Sequence, residues 1–344
     1  MWFIIHKSKA VLEIIFGMRV HITNEDFSSH VKNEKVVIIM NHRTRLDWLY
    51  YWSVIFRQQR LEHEKIILKN ELKHIPGAGW GMQTVMFLFI KRNWDKDKEY
   101  LRQILHYFTD INYPLQLLIF PEGTDLDTHS LEKSKSYALK NNLPIYKYVL
   151  HPRLKGFTYC VEQLRSRHGI DAIYDVTVGY VGNMCTSESD LAKGRFPQDV
   201  HFHIKRHPIG SIPESTEGLE KWCKERWAEK ETTLEQFYKE GNFIPQHEEK
   251  SMVDEMTVKY QMIFWIVYWF TFLCVVFMLL YKYWWVRWYT LIMFIVFFLQ
   301  STFGGGFETL QVKQQALNSK HVVTKNNGHA SSKYGTQNSN GKTR

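Results

Sequence analysis

Residues 36–48 read VVIIMNHRTRLDW, an unbroken apolar run that passes directly into Asn41, His42, Arg43, Thr44, Arg45 and Asp47. A short apolar run rich in β-branched residues is the pattern of a strand buried on both faces of a parallel sheet. In open α/β sheets, sites form beyond the carboxyl ends of the strands, so this polar cluster sits where a site is expected. The same junction recurs. VMFLFI (85–90) runs into Lys91 and Arg92, LQLLIF (115–120) into Pro121, Glu122, Gly123 and Thr124, and YKYVL (146–150) into His151, Pro152 and Arg153. The alternating segments DVTVGYV (175–181) and VHFHIKR (200–206) predict two more strands. Longer mixed stretches separate most of these runs, which predicts an α/β fold with a mostly parallel sheet flanked by helices.

At the first junction, His42 and Asp47 are five residues apart, about 140° around a regular helix, so they do not share a helical face. Thr44 followed three residues later by Asp47 has the form of a capping box, with Thr44 as N-cap and Asp47 in the first turn. His42 then lies in the turn before the helix and folds back toward the Asp47 carboxylate. Such a pair fixes the imidazole tautomer and stabilises the ring once it takes a proton. Taken alone, the stretch reads more readily as a capped helix beside an incidental surface histidine than as a catalytic pair.

The 344 residues suffice for one large domain or two smaller ones, and a net charge of +9 favours an anionic partner such as a membrane surface. No zinc-finger or RNA-binding signature accompanies the charge, so a nucleic-acid partner is not expected. Cys160, Cys185, Cys223 and Cys274 are scattered without a CxxC pair, which suits a reducing, cytosol-facing environment.

Residues 261–280, QMIFWIVYWFTFLCVVFMLL, carry no charge and are long enough to cross a bilayer. A second apolar run, 288–303, follows the interfacial Tyr, Trp, Lys and Arg residues of 281–289. Together they predict a membrane helix hairpin over 258–304. Residues 1–22 mix apolar and basic groups and predict either an amphipathic membrane-docking segment or one that packs on the domain. Residues 23–250 are read as the soluble catalytic region, and 311–344 as a polar disordered tail.

NHRTRLD (41–47) resembles the NHxxxxD motif of the glycerolipid acyltransferases, the family of the 1-acylglycerol-3-phosphate acyltransferases. The family's other blocks follow in order as FLFIKR (87–92), FPEGT (120–124) and VLHPRLKGF (149–157). NHRTRLDW, PLQLLIFPEGTDL, YVLHPR and FPQDVHFHIKRHPI are similar to the branch that acts on lysocardiolipin and lysophosphatidylinositol. This resemblance extends to about residue 250 and implies a glycerol-3-phosphate acyltransferase-like fold.

The resemblance implies acyl transfer from acyl-CoA to a lysophospholipid hydroxyl, with His42 as general base oriented by Asp47. It places Arg92, Glu122, Gly123 and Thr124 at the acceptor site, with Pro152 shaping an adjoining loop. Lys91, Arg92 or backbone N–H groups would hold the oxyanion. No metal or prosthetic group is implied, and acyl-CoA is a co-substrate. The expected setting is the endoplasmic reticulum membrane, with the catalytic domain facing the cytosol. Many family members carry Arg after EGT, where this chain has Asp125. An Asp suits a phosphodiester head group bearing hydroxyls better than a phosphate monoester, which favours lysophosphatidylinositol or lysocardiolipin. The alternatives are acylation of lysophosphatidic acid and, from another class, an inactive membrane-anchored lipid-binding scaffold. Relatives usually carry a longer apolar region before the first block, so membrane docking is expected to rest on the amphipathic start and the C-terminal hairpin.

Three further segments invite plainer readings. The Gly-rich KHIPGAGWGMQ (73–83) matches a family segment that lines the acyl chain, but by spacing it is a turn and not a nucleotide loop. His201, His203 and His207 alternate along a strand and, without a carboxylate or Cys partner, read as ordinary strand residues. Residues 221–240 read as a charged, solvated helix.

Overall fold

The computed structural model describes residues 11–25, 33–57, 61–182, 184–185, 187–243, 255–315 and 317. Seven strands form one sheet: β1 (Arg19–Glu25), β2 (Val36–Met40), β3 (Glu64–Lys69), β4 (Leu88–Ile90), β5 (Gln116–Ile119), β6 (Ala172–Val181) and β7 (Asp199–Pro208). Their order is β1-β7-β6-β2-β5-β3-β4. Every neighbouring pair is parallel except β6 and β7, so the mostly parallel sheet expected from the sequence is present.

β2 lies between β6 and β5 with all five residues buried, which is why its sequence shows no polar alternation. Side chains alternate between the two faces. Val36, Ile38 and Met40 join one core with helix α1 (Asp47–Arg57). Val37 and Ile39 join the other. That second core packs against α3 (Trp94–Asp110), α5 (Leu154–Arg165) and α7 (Thr216–Glu240). The remaining helices of the domain are α2 (Ala78–Thr84), α4 (Thr128–Lys140) and α6 (Glu188–Ala192).

Several sequence readings need correction. Residues 146–151 form no strand. The N–H groups of Lys147, Tyr148 and Val149 instead donate to the Glu231 carboxylate at 2.6, 2.8 and 3.1 Å, so a side chain replaces the strand partner. Strands β1 and β3 went unread because charged and polar residues interrupt RVHITNE and EKIILK. The sheet therefore begins at Arg19, inside the segment assigned to membrane docking. In the residues just before it, Leu12 and Met18 are buried while Ile15 is 59% exposed, so that segment packs and also presents apolar surface. Residues 1–10 and 244–250 lie outside the described residues.

The Gly-rich segment does open a helix. Gly77, at φ 74°, precedes α2, and Gly79 comes so near the carbonyls of Leu72 and Lys73 that no Cβ would fit. Its Trp80 meets Phe294 and Phe297. α7 is not merely a solvated face, since Leu219, Cys223, Trp227, Lys230, Leu234 and Phe237 are all buried.

Two long apolar helices follow, α8 (Glu255–Lys282) and α9 (Trp284–Thr302), joined through Tyr283. At about 1.5 Å per residue both reach roughly the thickness of a hydrocarbon core. Away from the ends that meet the domain, most of their side chains point outward without protein cover, Phe270 being 71% and Phe277 67% exposed. Such a surface belongs in lipid, and the two helices associate the chain with a membrane. Both outer ends touch the domain. Val258 and Met262 of α8 enter the first core. Ser301 of α9 accepts a hydrogen bond from Gln83 at 2.8 Å. The pair is therefore a hairpin with Tyr283 at its far tip.

Beyond α9 the chain re-enters the domain. The buried Glu308 pairs with Lys73, whose ammonium also donates to the Gly305 carbonyl at 2.6 Å. Residues 307–315 are helical, so 311–315 do not belong to a disordered tail. Val312 packs on the second core and Tyr107 donates to Gln311 at 3.3 Å, contacts that order this stretch. Residues 318–344 lie outside the described residues.

Candidate active site

The polar cluster after β2 is organised around one carboxylate. Asp47 is fully buried at the start of α1. Its Oδ2 meets His42 Nδ1 at 2.9 Å and accepts from the Arg43 N–H at 2.7 Å. The Thr44 N–H donates to both oxygens at 3.2 and 3.1 Å, and the Thr44 hydroxyl donates to Oδ1 at 3.2 Å. The Thr44 hydroxyl in turn accepts from the Leu46 N–H at 3.1 Å. This is the predicted capping arrangement, and it turns the loop so that His42 folds back on Asp47. One donor was not foreseen. Tyr180, near the end of β6, gives its hydroxyl to Asp47 Oδ1.

His42 stacks on Phe120 with ring centroids 4.2 Å apart, and its side chain is 15% exposed. With Nδ1 bound to Asp47, Nε2 is the nitrogen left for a substrate. Asn41 steadies the strand end beneath by exchanging two hydrogen bonds with Val178 of β6, at 3.1 and 2.8 Å.

The turn after β5 is stapled to the His42 backbone. Glu122 accepts from the His42 N–H at 3.2 Å, and the Leu126 N–H donates to the His42 carbonyl at 2.8 Å. Glu122 is buried and its oxygens are occupied, since Leu150 N–H and Trp227 Nε1 also donate to it at 3.1 and 3.2 Å. It therefore does not face an acceptor, contrary to the expectation from sequence. Burial pushes its pKa up to about 7, against the pull of those donors and of His42.

Gly123 adopts φ 74°, and a Cβ there would meet Arg153 Cδ at 3.2 Å. Arg92, itself at φ 58°, donates to the Gly123 carbonyl at 2.5 Å. A left-handed conformation at a non-glycine residue stores strain and is most often kept where a side chain must be aimed. The Arg153 N–H donates to the Pro121 carbonyl at 2.7 Å, which ties the loop at Pro152 to the same turn. Arg92 and Arg153 are exposed beside Gly123, and the neighbouring Lys91 is exposed as well. The Lys91 N–H anchors to Asp97 at 2.8 Å.

Asp125 is largely covered and meets Arg45 at 3.4 Å, with Thr124 donating to its other oxygen at 3.4 Å. His151 turns away, stacking on Tyr146 at 4.4 Å with its Nε2 3.0 Å from the Pro144 carbonyl. The structure thus gathers His42, Asp47, Arg92, Gly123, Thr124 and Asp125, with Lys91 and Pro152 at the edge and Glu122 beneath. Tyr180 was missed because an aromatic residue in a strand carries no motif, and Phe120, though it opens the FPEGT block, carries no sequence signal that its ring stacks on His42. Arg153 was visible in the sequence without a signal to separate cleft from solvent.

This constellation is compatible with acyl transfer to a hydroxyl, and comparison with known proteins agrees. Residues 19–181 match the family model described as acyltransferase, and residues 190–265 match the acyltransferase C-terminus. The chain is 45% identical over 309 residues to lysocardiolipin acyltransferase 1 of Gallus gallus, covering 88% of this chain and 80% of that protein. To the protein of the same name from Mus musculus it is 44% identical over 315 residues, covering 91% and 83%. To lysophosphatidylinositol acyltransferase 10 of Caenorhabditis elegans it is 38% identical over 233 residues, covering 67% and 59%. The chain is an acyl-transfer enzyme and belongs to the acyltransferase family.

Proposed function

We propose that this membrane-associated enzyme transfers an acyl group from acyl-CoA to the free hydroxyl of a lysophospholipid, with His42 as general base. The observation that carries the proposal is the 2.9 Å contact between His42 Nδ1 and the buried Asp47 carboxylate. Asp47 holds the proton on Nδ1, so that Nε2 presents a lone pair. The acceptor hydroxyl gives its proton to Nε2 as its oxygen attacks the thioester carbonyl. Asp47 balances the imidazolium that results, much as in a serine-hydrolase triad with the substrate supplying the hydroxyl. The tetrahedral intermediate collapses by breaking the C–S bond, and the departing thiolate takes the proton back from His42. The transferred acyl chain becomes an ester and CoA leaves as a thiol.

Arg92 and Arg153 supply positive charge beside the Gly123 turn for substrate phosphates, with Lys91 next to Arg92 in the chain, and Thr124 offers a hydroxyl there. Glu122 acts as a positioning residue, because it holds the backbone N–H groups of His42 and Leu150. The acceptor is proposed to be lysophosphatidylinositol or lysocardiolipin, supported by the names of the similar proteins and by Asp125 beside the turn. The proposed setting is the endoplasmic reticulum membrane, with the domain on the cytosolic face where acyl-CoA is present.

The test is CoA release by membranes carrying the wild type or His42→Ala. Oleoyl- and stearoyl-CoA are offered with lysophosphatidylinositol, lysocardiolipin and lysophosphatidic acid in parallel. His42-dependent release with the first two acceptors supports the reading. Preference for lysophosphatidic acid moves it to phospholipid synthesis, and lipid binding without CoA release overturns it in favour of a scaffold.

A further inference from the structure

We propose that His21, Asp199 and His201 form a binding site for a divalent transition-metal ion of the zinc type at the β1–β7 edge of the sheet. By sequence the alternating histidines of β7 read as ordinary strand residues, with no carboxylate or Cys counted as their partner. Pairing with β1 changes the candidate ligand set. His21 lies directly opposite His201 in the parallel register, and Arg19 lies opposite Asp199. Asp199 and His201 are two residues apart on one strand, so their side chains share a face, and β1 adds His21 to it.

The resulting cluster is close-knit. One ligand atom from each of the three side chains lies within 4.8 Å of the others. His21 Nε2 and Asp199 Oδ1 are 2.7 Å apart, and the two imidazoles stack with centroids 4.2 Å apart. Among the described residues, His201 is nine-tenths buried yet its ring nitrogens make no hydrogen bond. An imidazole held between Phe237 and Phe243 at 5.1 and 6.5 Å, beside a carboxylate it does not bond, has unused ligand capacity.

Two imidazoles and one carboxylate are a ligand set for zinc or a neighbouring transition metal, whereas calcium and magnesium favour oxygen donors throughout. The remaining position would hold water, since the His21 side chain is half exposed. Arg19 donates to Asp199 Oδ2 at 2.7 Å, which leaves Oδ1 for the ion. His21 binds by moving its Nε2 proton to Nδ1, and its exposed side chain is free to swing the short distance needed for bonds of about 2.0–2.1 Å. A bound ion would pin the edge strand β1 to β7 directly after Leu12 and Met18, which share a core with Val258 and Met262 of α8. It would take no part in the acyl-transfer step.

The test uses the purified full chain in detergent, stripped with chelator and titrated with zinc by calorimetry and with cobalt by visible absorption. One ion per chain is expected, with cobalt bands of a four-coordinate nitrogen–oxygen site and a rise in melting temperature. His21→Gln and His201→Gln should each weaken binding at least about tenfold, as loss of even outer-shell support does. His129→Gln, on the exposed face of α4, should leave binding unchanged. Absence of saturable binding to the wild type overturns the proposal. So does wild-type affinity in a His21→Gln protein whose ion-free melting temperature is unaltered.

Discussion

The Tyr180 hydroxyl reaches the Asp47 carboxylate from 133 residues further along the chain, joining the end of β6 to the first turn of α1. Tyr180 is fully enclosed, and burial together with the adjacent Asp47 charge raises its pKa well above the usual phenol value, so it remains a donor. This donation spreads the carboxylate charge that His42 feels. In Tyr180→Phe, Asp47 keeps its backbone donors but loses this one, and its carboxylate is held less firmly against His42 Nδ1. kcat should fall while KM for the acceptor is kept, and the loss should vanish when Tyr180→Phe is added to His42→Ala. A purely structural role would lower the activity of both backgrounds, and the melting temperature with it.

Removing the base itself should have a larger effect. General-base assistance is typically worth about 10²–10⁴-fold, so His42→Ala should lower kcat/KM by that order with little change in stability. Asp47→Asn should fall within the same range for a different reason. The amide can donate to Nδ1, which puts the ring proton on Nε2 and blocks acceptance of the substrate proton. Single-turnover CoA release at saturating donor measures both.

Glu122 links folding to pH. Its pKa is raised by burial to about 7 from an ordinary value near 4.5. The folded protein therefore binds a proton that the unfolded chain releases over that window. Its contribution to stability is complete below pH 4.5 and is lost as pH rises through 7. The slope is at most about 1.4 kcal/mol per pH unit. Glu122→Gln should abolish this component of the pH dependence, as read from urea unfolding at several pH values. It should also lower activity, because Gln cannot accept all three donations that hold the His42 and Leu150 backbone and the Trp227 ring.

Much of this was legible because motif and sheet topology coincide. The unbroken apolar run of β2, the Thr44–Asp47 spacing and the two long apolar runs of α8 and α9 are each legible in local sequence pattern. What escaped has a common cause. Glu231 replaces a strand partner for residues 147–149, Glu122 turns inward to backbone donors, and Tyr180 arrives from a distant strand. In each case a side chain satisfies groups far away in sequence, and neither helical nor strand period encodes such a contact. The charged ends of β1 and β3 hid those strands for the related reason that edge and near-edge strands carry polar residues.

The Lys73–Glu308 pair should hold the returning chain beyond α9 to the domain. Both groups are buried, and burial raises the Glu308 pKa against the pull of Lys73. Breaking such a pair by removing one partner typically costs about 3–5 kcal/mol, whereas replacing both with apolar residues can be nearly neutral. Lys73→Met should lower the melting temperature and expose the sites after Phe303 to protease, and Lys73→Met with Glu308→Leu should recover most of the loss. Thermal melts of the two variants in one detergent compare them directly.

Head-group choice should respond to Asp125. In the free enzyme Arg45 meets Asp125 at 3.4 Å, while the Arg45 side chain is 59% exposed at the mouth of the site. A phosphodiester acceptor offers Arg45 one negative charge and offers Asp125 a head-group hydroxyl to accept from. A phosphate monoester carries more negative charge and no such hydroxyl, so the Asp125 carboxylate repels it. Asp125→Arg removes the repulsion and adds a bidentate donor suited to a monoester. The ratio of kcat/KM for lysophosphatidylinositol over lysophosphatidic acid should fall by about tenfold or more, as expected when an unfavourable charge contact becomes a favourable one. The measurement is competition between the two acceptors in mixed micelles. An unchanged ratio in an active Asp125→Arg enzyme would remove Asp125 from head-group selection and leave Arg92 and Arg153 as the basic residues to test next.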